Sequence, residues 1–511
     1  MRKWLPLLTV CLGTFMLLID VTIVNVALPD MATDLQTSFA SLQWVVDAYA
    51  LVLAALVLGT GSIADLVGHR RAYIAGLGLF AVSSLVCGLA PNAGALVAAR
   101  AVQGLGAAAM FATTFALLNS SYHGRDRGTA YGIWGAVAGA SAAVGPIVGG
   151  LLTEGVSWRW IFFVNLPVSL VAIALCVVVL RDSHAPVRAR VDVPGIVAFT
   201  AAAASLTYGL IEANENGWGE VGSWGWLVAT PVLLAVFVAV ELRTRAPMLD
   251  LSLLRNGPFV GVLLAGMFVT LCAFASFTYT TIWLQSVVGL SPIESGLVGL
   301  PLSLASFGVS AAIGRFLHGT RPGPIIGGGL LLIGLGGLLG GMLVHGSATW
   351  PALLPGFFLV GVGVGLATPT LSSAAMSAVP VQRGGMAAGA VNTARQLGFA
   401  LGIAGLGSVF AARSAHVLAD HRVPASDAVS RAVSGGQAHG VLAQAPAAVR
   451  GALDDAIHAA SVQGVQWTLL VSGVLGVLAA LAVFVLVRPP AEAGRHEPAA
   501  LGADELDAAP A

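Results

Sequence analysis

The chain has 511 residues, of which 57% are hydrophobic and 9% charged, whereas a soluble domain carries about 25% charged side chains. That balance, with a mean hydropathy of +0.88, excludes a water-soluble fold. The formal net charge is zero, so no basic or acidic field points to nucleic acid as a partner.

A helix needs about 20 apolar residues to cross a bilayer. That window gives spans near 5–27, 44–63, 73–90, 95–118, 129–152, 160–180, 194–212, 224–241, 259–283, 295–313, 324–343, 352–373, 386–410 and 465–487. Arg2 and Lys3 followed by an apolar run imitate a secretory signal, but the run continues into Asp20 and Asn25 without a small-residue cleavage site, so it reads as a retained first span. Cys11, Cys87, Cys176 and Cys272 all lie in apolar stretches, as packing residues rather than disulfide halves or metal ligands.

With the N-terminus in the cytoplasm, seventeen lysines and arginines fall on inner segments and five on outer ones, and Arg100 and Arg395 lie within spans. Positive residues stay cytoplasmic during insertion, so this split sets both termini inside and requires an even number of crossings. Lys3 is the single lysine against 23 arginines, and alanine is abundant, which suggests a GC-rich bacterial source and the cytoplasmic membrane of that cell.

The segment Gly61 to Arg71, in the link between spans 2 and 3, has a partner at Gly314 to His318, with an offset of 253 residues. Gly104 and Gly106 of span 4 match Gly361 and Gly363 of span 12, and Gly132 and Gly145 of span 5 match Gly389 and Gly402 of span 13, with an offset of 257. Two duplicated halves with spans 7 and 8 between them account for both offsets, and such repeats bracket a substrate site near the bilayer midplane. The expected organisation is an N-terminal six-helix half over 1–180, inserted helices with their linkers over 181–257, and a C-terminal half over 258–487. That second half includes a long outer loop over 411–464, and a disordered cytoplasmic tail covers 488–511.

A charge inside a span costs about 3 kcal/mol or more and needs a partner or a task. Counting about 1.5 Å per residue from the outer boundary puts Asp20, Asp47 and Arg100, from three helices of one half, at a common depth. They form a predicted cluster in which Arg100 can pair with either carboxylate. Opposing effects of burial and of a neighbouring arginine make Asp20 a candidate proton carrier. Arg395 sits deeper, beside Asn392 and Gln396, and is expected to face the central cavity. Trp44, Asp47, Tyr49, Gln285 and Arg395 are the candidates for lining a substrate path. In the Gly61 to Arg71 link, Gly61 and Gly68 permit close approach and a tight turn. Asp65 can cap a helix N-terminus there, and Arg70 and Arg71 can pair with carboxylates. In span 5, Gly132, Ser141, Gly145, Gly149 and Gly150 leave room for a neighbouring helix, and Pro146 is expected to bend the span.

A phosphate-binding loop needs a lysine after its glycines, and Lys3 cannot supply it, so an ATP-driven pump is excluded for this chain. The ten histidines form no catalytic constellation.

Leu18-Ile-Asp20-Val-Thr-Ile-Val-Asn25-Val-Ala-Leu-Pro29 resembles the first-helix signature of the 14-span drug:proton antiporters of the major facilitator superfamily. The Gly61 to Arg71 link is similar to that superfamily's loop 2–3 motif, Leu96 to Gly106 to its helix-4 motif, and Gly132 to Gly150 to its helix-5 antiporter motif. Trp158 to Pro167 and Asn392 to Gly398 also resemble this family, and the similarity runs from residue 5 to about 487. Leu66 and His69 depart from the loop motif and Ser141 from the helix-5 motif, while Ile403 replaces proline in span 13. The resemblance implies a major facilitator fold and a monomer that exports amphipathic drug-like compounds against protons. It also implies a loop that shuts the cytoplasmic side by docking near span 13, and a span 5 packed on span 10. The expected partners are the cargo, protons and the bilayer, with no cofactor beyond the proton gradient. A dedicated exporter of one metabolite, such as an amino acid, a siderophore or the cell's own secondary metabolite, shares all these features.

Overall fold

An apolar segment in a bilayer satisfies its backbone donors and acceptors only within itself, and every predicted span lies on helix in the computed structural model. Residues 2–37, 39–180, 192–215, 218–244, 247–316, 321–346, 349–379 and 384–487 are described. The first half contains α1 (Leu5–Asp34), α2 (Phe39–Val67), α3 (His69–Gly88), α4 (Ala93–Ser121) and α5 (Gly124–Gly155). Its sixth crossing is broken into α6 (Trp160–Phe163) and α7 (Asn165–Val179). The inserted pair is α8 (Val193–Glu215) and α9 (Val221–Glu241).

The second half opens with one crossing made of α10 (Gly257–Val269), a π-helical turn (Thr270–Ala275) and α11 (Ser276–Ser286). It continues through α12 (Pro292–Val298), α13 (Leu300–Phe316), α14 (Pro322–Leu343), α15 (Leu354–Ser377), α16 (Gly384–Asp420), α17 (Ser426–Ser434), α18 (Ala438–Gln444) and α19 (Ala447–Leu486). Among the described residues, twelve stretches are long and apolar enough to span a membrane. The other two expected crossings, α5 and α13, pack side by side against α1 and α15 respectively.

The duplication appears as matched close approaches. A Cβ built on Gly104 would meet Tyr49 O of α2, and one on Gly361 would meet Leu302 O of α13. Likewise Gly106 abuts Gly76 and Phe80 of α3, and Gly363 abuts Gly329 and Ile333 of α14. Gly145 lies on Thr22, and Gly402 on Ala275. Within each of these pairs the first-half and second-half neighbours are 253 residues apart and the glycines 257, the two offsets visible in the sequence. Helices α8 and α9 lie outside this scheme, with α8 seated on both α2 and α16 at the seam between the halves.

The segment 411–464, expected as an outer loop, is instead largely helical. Alanine-rich sequence favours helix, so α16 runs on to Asp420 and α19 begins at Ala447. The two extensions pack on each other, with Ser414 Oγ donating to Ala460 O at 3.0 Å. Similarly α1 continues to Asp34 rather than ending near residue 27. There Asp34 meets the Arg159 guanidinium, and Trp158 Nε1 donates to it at 3.0 Å. These bonds hold the Asp34 carboxyl below the usual carboxylate range, the Arg159 bond contributing most. The tail 488–511 and the linker arginines Arg181, Arg188 and Arg190 lie outside the described residues.

Candidate functional site

Helix α4 carries Arg100 and Gln103, three residues apart and therefore on one face. Opposite them α1 brings Asp20, α3 brings Ser84 and Cys87, and Asn165 arrives at the break between α6 and α7. Asp20, Arg100, Gln103 and Ser84 are all fully buried. Arg100 Nη1 donates to Asp20 Oδ2 at 2.5 Å and to Gln103 Oε1 at 2.7 Å, and Arg100 Nε donates to Val45 O at 2.9 Å. Asp20 Oδ1 accepts from Gln103 Nε2 and from Asn165 Nδ2, each at 3.1 Å. Both amides also donate to Ser84 Oγ, at 2.8 and 3.3 Å. The Tyr49 ring covers the guanidinium, 4.2 Å from centroid to Cζ.

A buried ion pair survives only when its remaining lone pairs and protons are satisfied as well. Asp20 meets that condition with three donors on two oxygens. Arg100 nearly does, with Nη2 left as a buried donor without a hydrogen-bond partner. The arrangement is a compact, fully buried ion pair whose carboxylate is ringed by polar donors.

Asp47 is half-buried and is not among Arg100's partners. The α2 side chain over Arg100 is Tyr49, two residues after Asp47, and side chains two apart do not share a helix face. The expected three-charge cluster is therefore a pair. Tyr49 is 1% exposed and serves as the lid of that pair rather than as an open path. The Trp44 ring lies 5.5 Å from that of Tyr208 of the inserted helix α8, tilted by 35°. Gln285 is half-buried on α11, and Arg395 is half-buried on α16.

A second polar site joins the two halves at the face of the bundle that carries the N-terminus. Asp65, near the end of α2, accepts the Met386 N–H of α16 at 2.9 Å, satisfying one of the free donors of a helix start. His69 Nε2 lies 3.4 Å from the other Asp65 oxygen. Gly68 makes the turn between α2 and α3 with φ of +98°, a conformation that favours glycine. Gly61 is buried on α2 and Arg71 is exposed on α3. Arg70 differs from its expected role. It donates to Cys176 O at 3.2 Å and Val177 O at 2.6 Å, holding the C-terminal carbonyls of α7 within the first half instead of a carboxylate.

Helix α5 is helical throughout, Pro146 included, although the Pro146 side chain lies outside the described residues. The expected packing of α5 on α13 is present, but it is made by other glycines. Gly135 and Gly139 face Ser310 and Ser306, at 3.3 and 2.9 Å from a built Cβ, while Gly145 and Gly149 face Thr22 and Ile23 of α1. At about 100° per residue the centres of the two glycine pairs lie about 80° apart around α5, so the pairs meet different neighbours. Gly150 meets Ile293 of α12. Gly132 is buried, and Ser141 is buried with its hydroxyl bonded back to Val137 O at 2.8 Å.

The Major Facilitator Superfamily model matches residues 10–403. The chain belongs to that superfamily. Among its curated relatives, the multidrug resistance protein Stp of Mycobacterium tuberculosis is 38% identical over 82% of this chain and 78% of the relative. The puromycin resistance protein pur8 of Streptomyces alboniger is 36% identical over 85% of this chain and 87% of the relative. The tetracenomycin C resistance and export protein of Streptomyces glaucescens is 32% identical over 97% and 94%. In fold, this facilitator is similar to the human organic anion transporter MFSD10, with a TM-score of 0.62 at 16% identity over 94% of this chain and 99% of that one.

In this facilitator Gln103 and Asn165 complete the buried pair, and reading the sequence did not assign them to it. Their signal was a polar side chain in an apolar stretch, within segments already marked by resemblance. Ser84 and Cys87 carry no such signal, because small polar residues are common in membrane helices.

Proposed function

We propose that this facilitator is a proton-coupled antiporter that exports amphipathic drug-like compounds across a bacterial cytoplasmic membrane. It works as a monomer with both termini in the cytoplasm. The observation that carries the reading is the fully buried Asp20–Arg100 pair with its Gln103 and Asn165 donors. The Arg100 guanidinium balances the charge of the Asp20 carboxylate. Once Arg100 is drawn away, a lone charge in the membrane is costly and protonation removes that cost. Asp20 then carries a proton inward while cargo leaves. The Asp65 contact with α16 latches the cytoplasmic side during the outward-facing part of the cycle and must break for cargo to enter. The cargo class is supported by the named substrates of the relatives. The coverage of the tetracenomycin C resistance and export protein favours, as a second reading, a dedicated exporter of one metabolite, such as the cell's own secondary metabolite.

The test is substrate-induced proton movement in proteoliposomes with an imposed pH gradient, using a panel of puromycin, ethidium and fluorescein. Asp20→Asn should lose uphill export while retaining downhill exchange. Coupled flux in Asp20→Asn at the wild-type rate would place the proton site elsewhere.

A further inference from the structure

Arg100 and Arg395 both lie deep within spans, and they differ in one respect. Arg100 is held by Asp20, whereas the Arg395 guanidinium has no hydrogen bond or ion pair among the described residues. Arg395 is about 16 Å along α16 from its start at Gly384, at about 1.5 Å per residue, and so lies deep in the bundle. A cation at that depth is retained only when it faces water or a partner, and Arg395 keeps part of its surface accessible.

Its surroundings place it between the halves. Asn392, one turn earlier on the same face, donates to Phe111 O of α4 across the interface at 3.0 Å. The Arg395 stem lies over Gly266 of α10, where a built Cβ would come within 3.3 Å of Arg395 Cγ and 3.7 Å of Leu371 of α15. Gly266 therefore leaves the space the side chain occupies. The Arg395 carbonyl accepts from Thr270 Oγ1 at 2.6 Å, at the start of the π-helical turn. Such turns are frequent at functional sites. Measured through Asn392 and Phe111, Arg395 is about 12 Å along the bundle axis from Arg100, so the two cations are separate sites.

The geometry points to Arg395 as the anchor for an anionic group on the cargo, a carboxylate or an ionised phenol carried on an apolar body. A guanidinium offers paired donors that match such a group, and a cation in the same place is repelled. This assignment of cargo class rests on the export reading above.

The probes are fluorescein, an anion, and rhodamine 123, a cation of the same ring system, with binding read by fluorescence anisotropy on the purified chain in nanodiscs. Wild type should bind fluorescein about tenfold or more tighter than rhodamine 123, the lower end of what a desolvated charge pair gives. Arg395→Gln should erase that preference and Arg395→Lys should keep most of it, with melting temperature checking that both variants fold. Wild type binding the two dyes equally, preferring the cation or binding neither overturns the assignment, as does an unchanged preference in Arg395→Gln. Asp20→Asn should leave the binding preference intact while blocking uphill export. If the preference behaves as expected and no dye is moved against a gradient, the export reading fails and the anion site stands.

Discussion

Removing one member of the Asp20–Arg100 pair separates its structural cost from its role in coupling. Asp20→Asn keeps an oxygen for the Gln103 and Asn165 amides but turns an N–H₂ group toward Arg100 Nη1, 2.5 Å away in the native pair. A guanidinium then remains fully buried with its charge uncompensated, and breaking a buried pair in this way costs about 3–5 kcal/mol. Arg100→Met should cost less, because the carboxyl group left behind can take up a proton whereas a guanidinium cannot lose one. The double variant Asp20→Asn/Arg100→Met leaves no buried charge and should recover most of the stability. Equilibrium unfolding of the four proteins in nanodiscs, with proton flux measured on the same samples, gives the cycle. The reasoning fails if Asp20→Asn is no less stable than Arg100→Met, or if the double variant loses the sum of the two single costs. Restored stability together with intact proton coupling in the double variant would make the pair structural only.

Other residues give sharper local outcomes. Asp65→Asn keeps an acceptor for the Met386 N–H but loses the charge at the start of α16; export should fall strongly with the fold retained, and an unchanged export rate would remove Asp65 from the gate. Arg70→Ala frees the Cys176 and Val177 carbonyls and should lower stability by about 1 kcal/mol after allowing for solvent screening. Transport in Arg70→Ala should persist, and abolished export at native stability would restore Arg70 to a gating role. Gly104→Val places a Cβ 2.7 Å from Tyr49 O and should push α2 and its Tyr49 lid from Arg100, costing about 1–3 kcal/mol by overpacking; an unshifted unfolding curve would contradict that packing. Asp34 has a lowered folded pKa, so its pair with Arg159 stabilises above the ordinary carboxylate value near 3.8 and the contribution is lost as pH falls through the lower folded value. Both side chains are substantially exposed, so Asp34→Asn should cost under about 1 kcal/mol at pH 7 and progressively less in acid, read from melting curves at several pH values.

Apolar length alone placed the helices, because a bilayer allows an exposed backbone no other way to satisfy its polar groups. The duplication was equally legible: the offsets of 253 and 257 reappear as matched contacts at Gly104 and Gly361, and at Gly106 and Gly363. Depth arithmetic brought Asp20 level with Arg100, since a helix converts residue number into height. Height does not fix which way a side chain faces across several helices. Only the packed structure therefore decided that Arg100 turns to Asp20 and the Val45 carbonyl and not to Asp47. It likewise decided that Arg70 closes α7, and that Gly135 and Gly139 carry the contact of α5 with α13. Helix extent beyond the apolar window follows local propensity, as in the alanine-rich ends of α16 and α19, since the bilayer places no limit on it. Only the tertiary structure showed what those extensions meet, Trp158 on Asp34 at the end of α1 and Ser414 on Ala460 between α16 and α19, because such partners are distant in sequence.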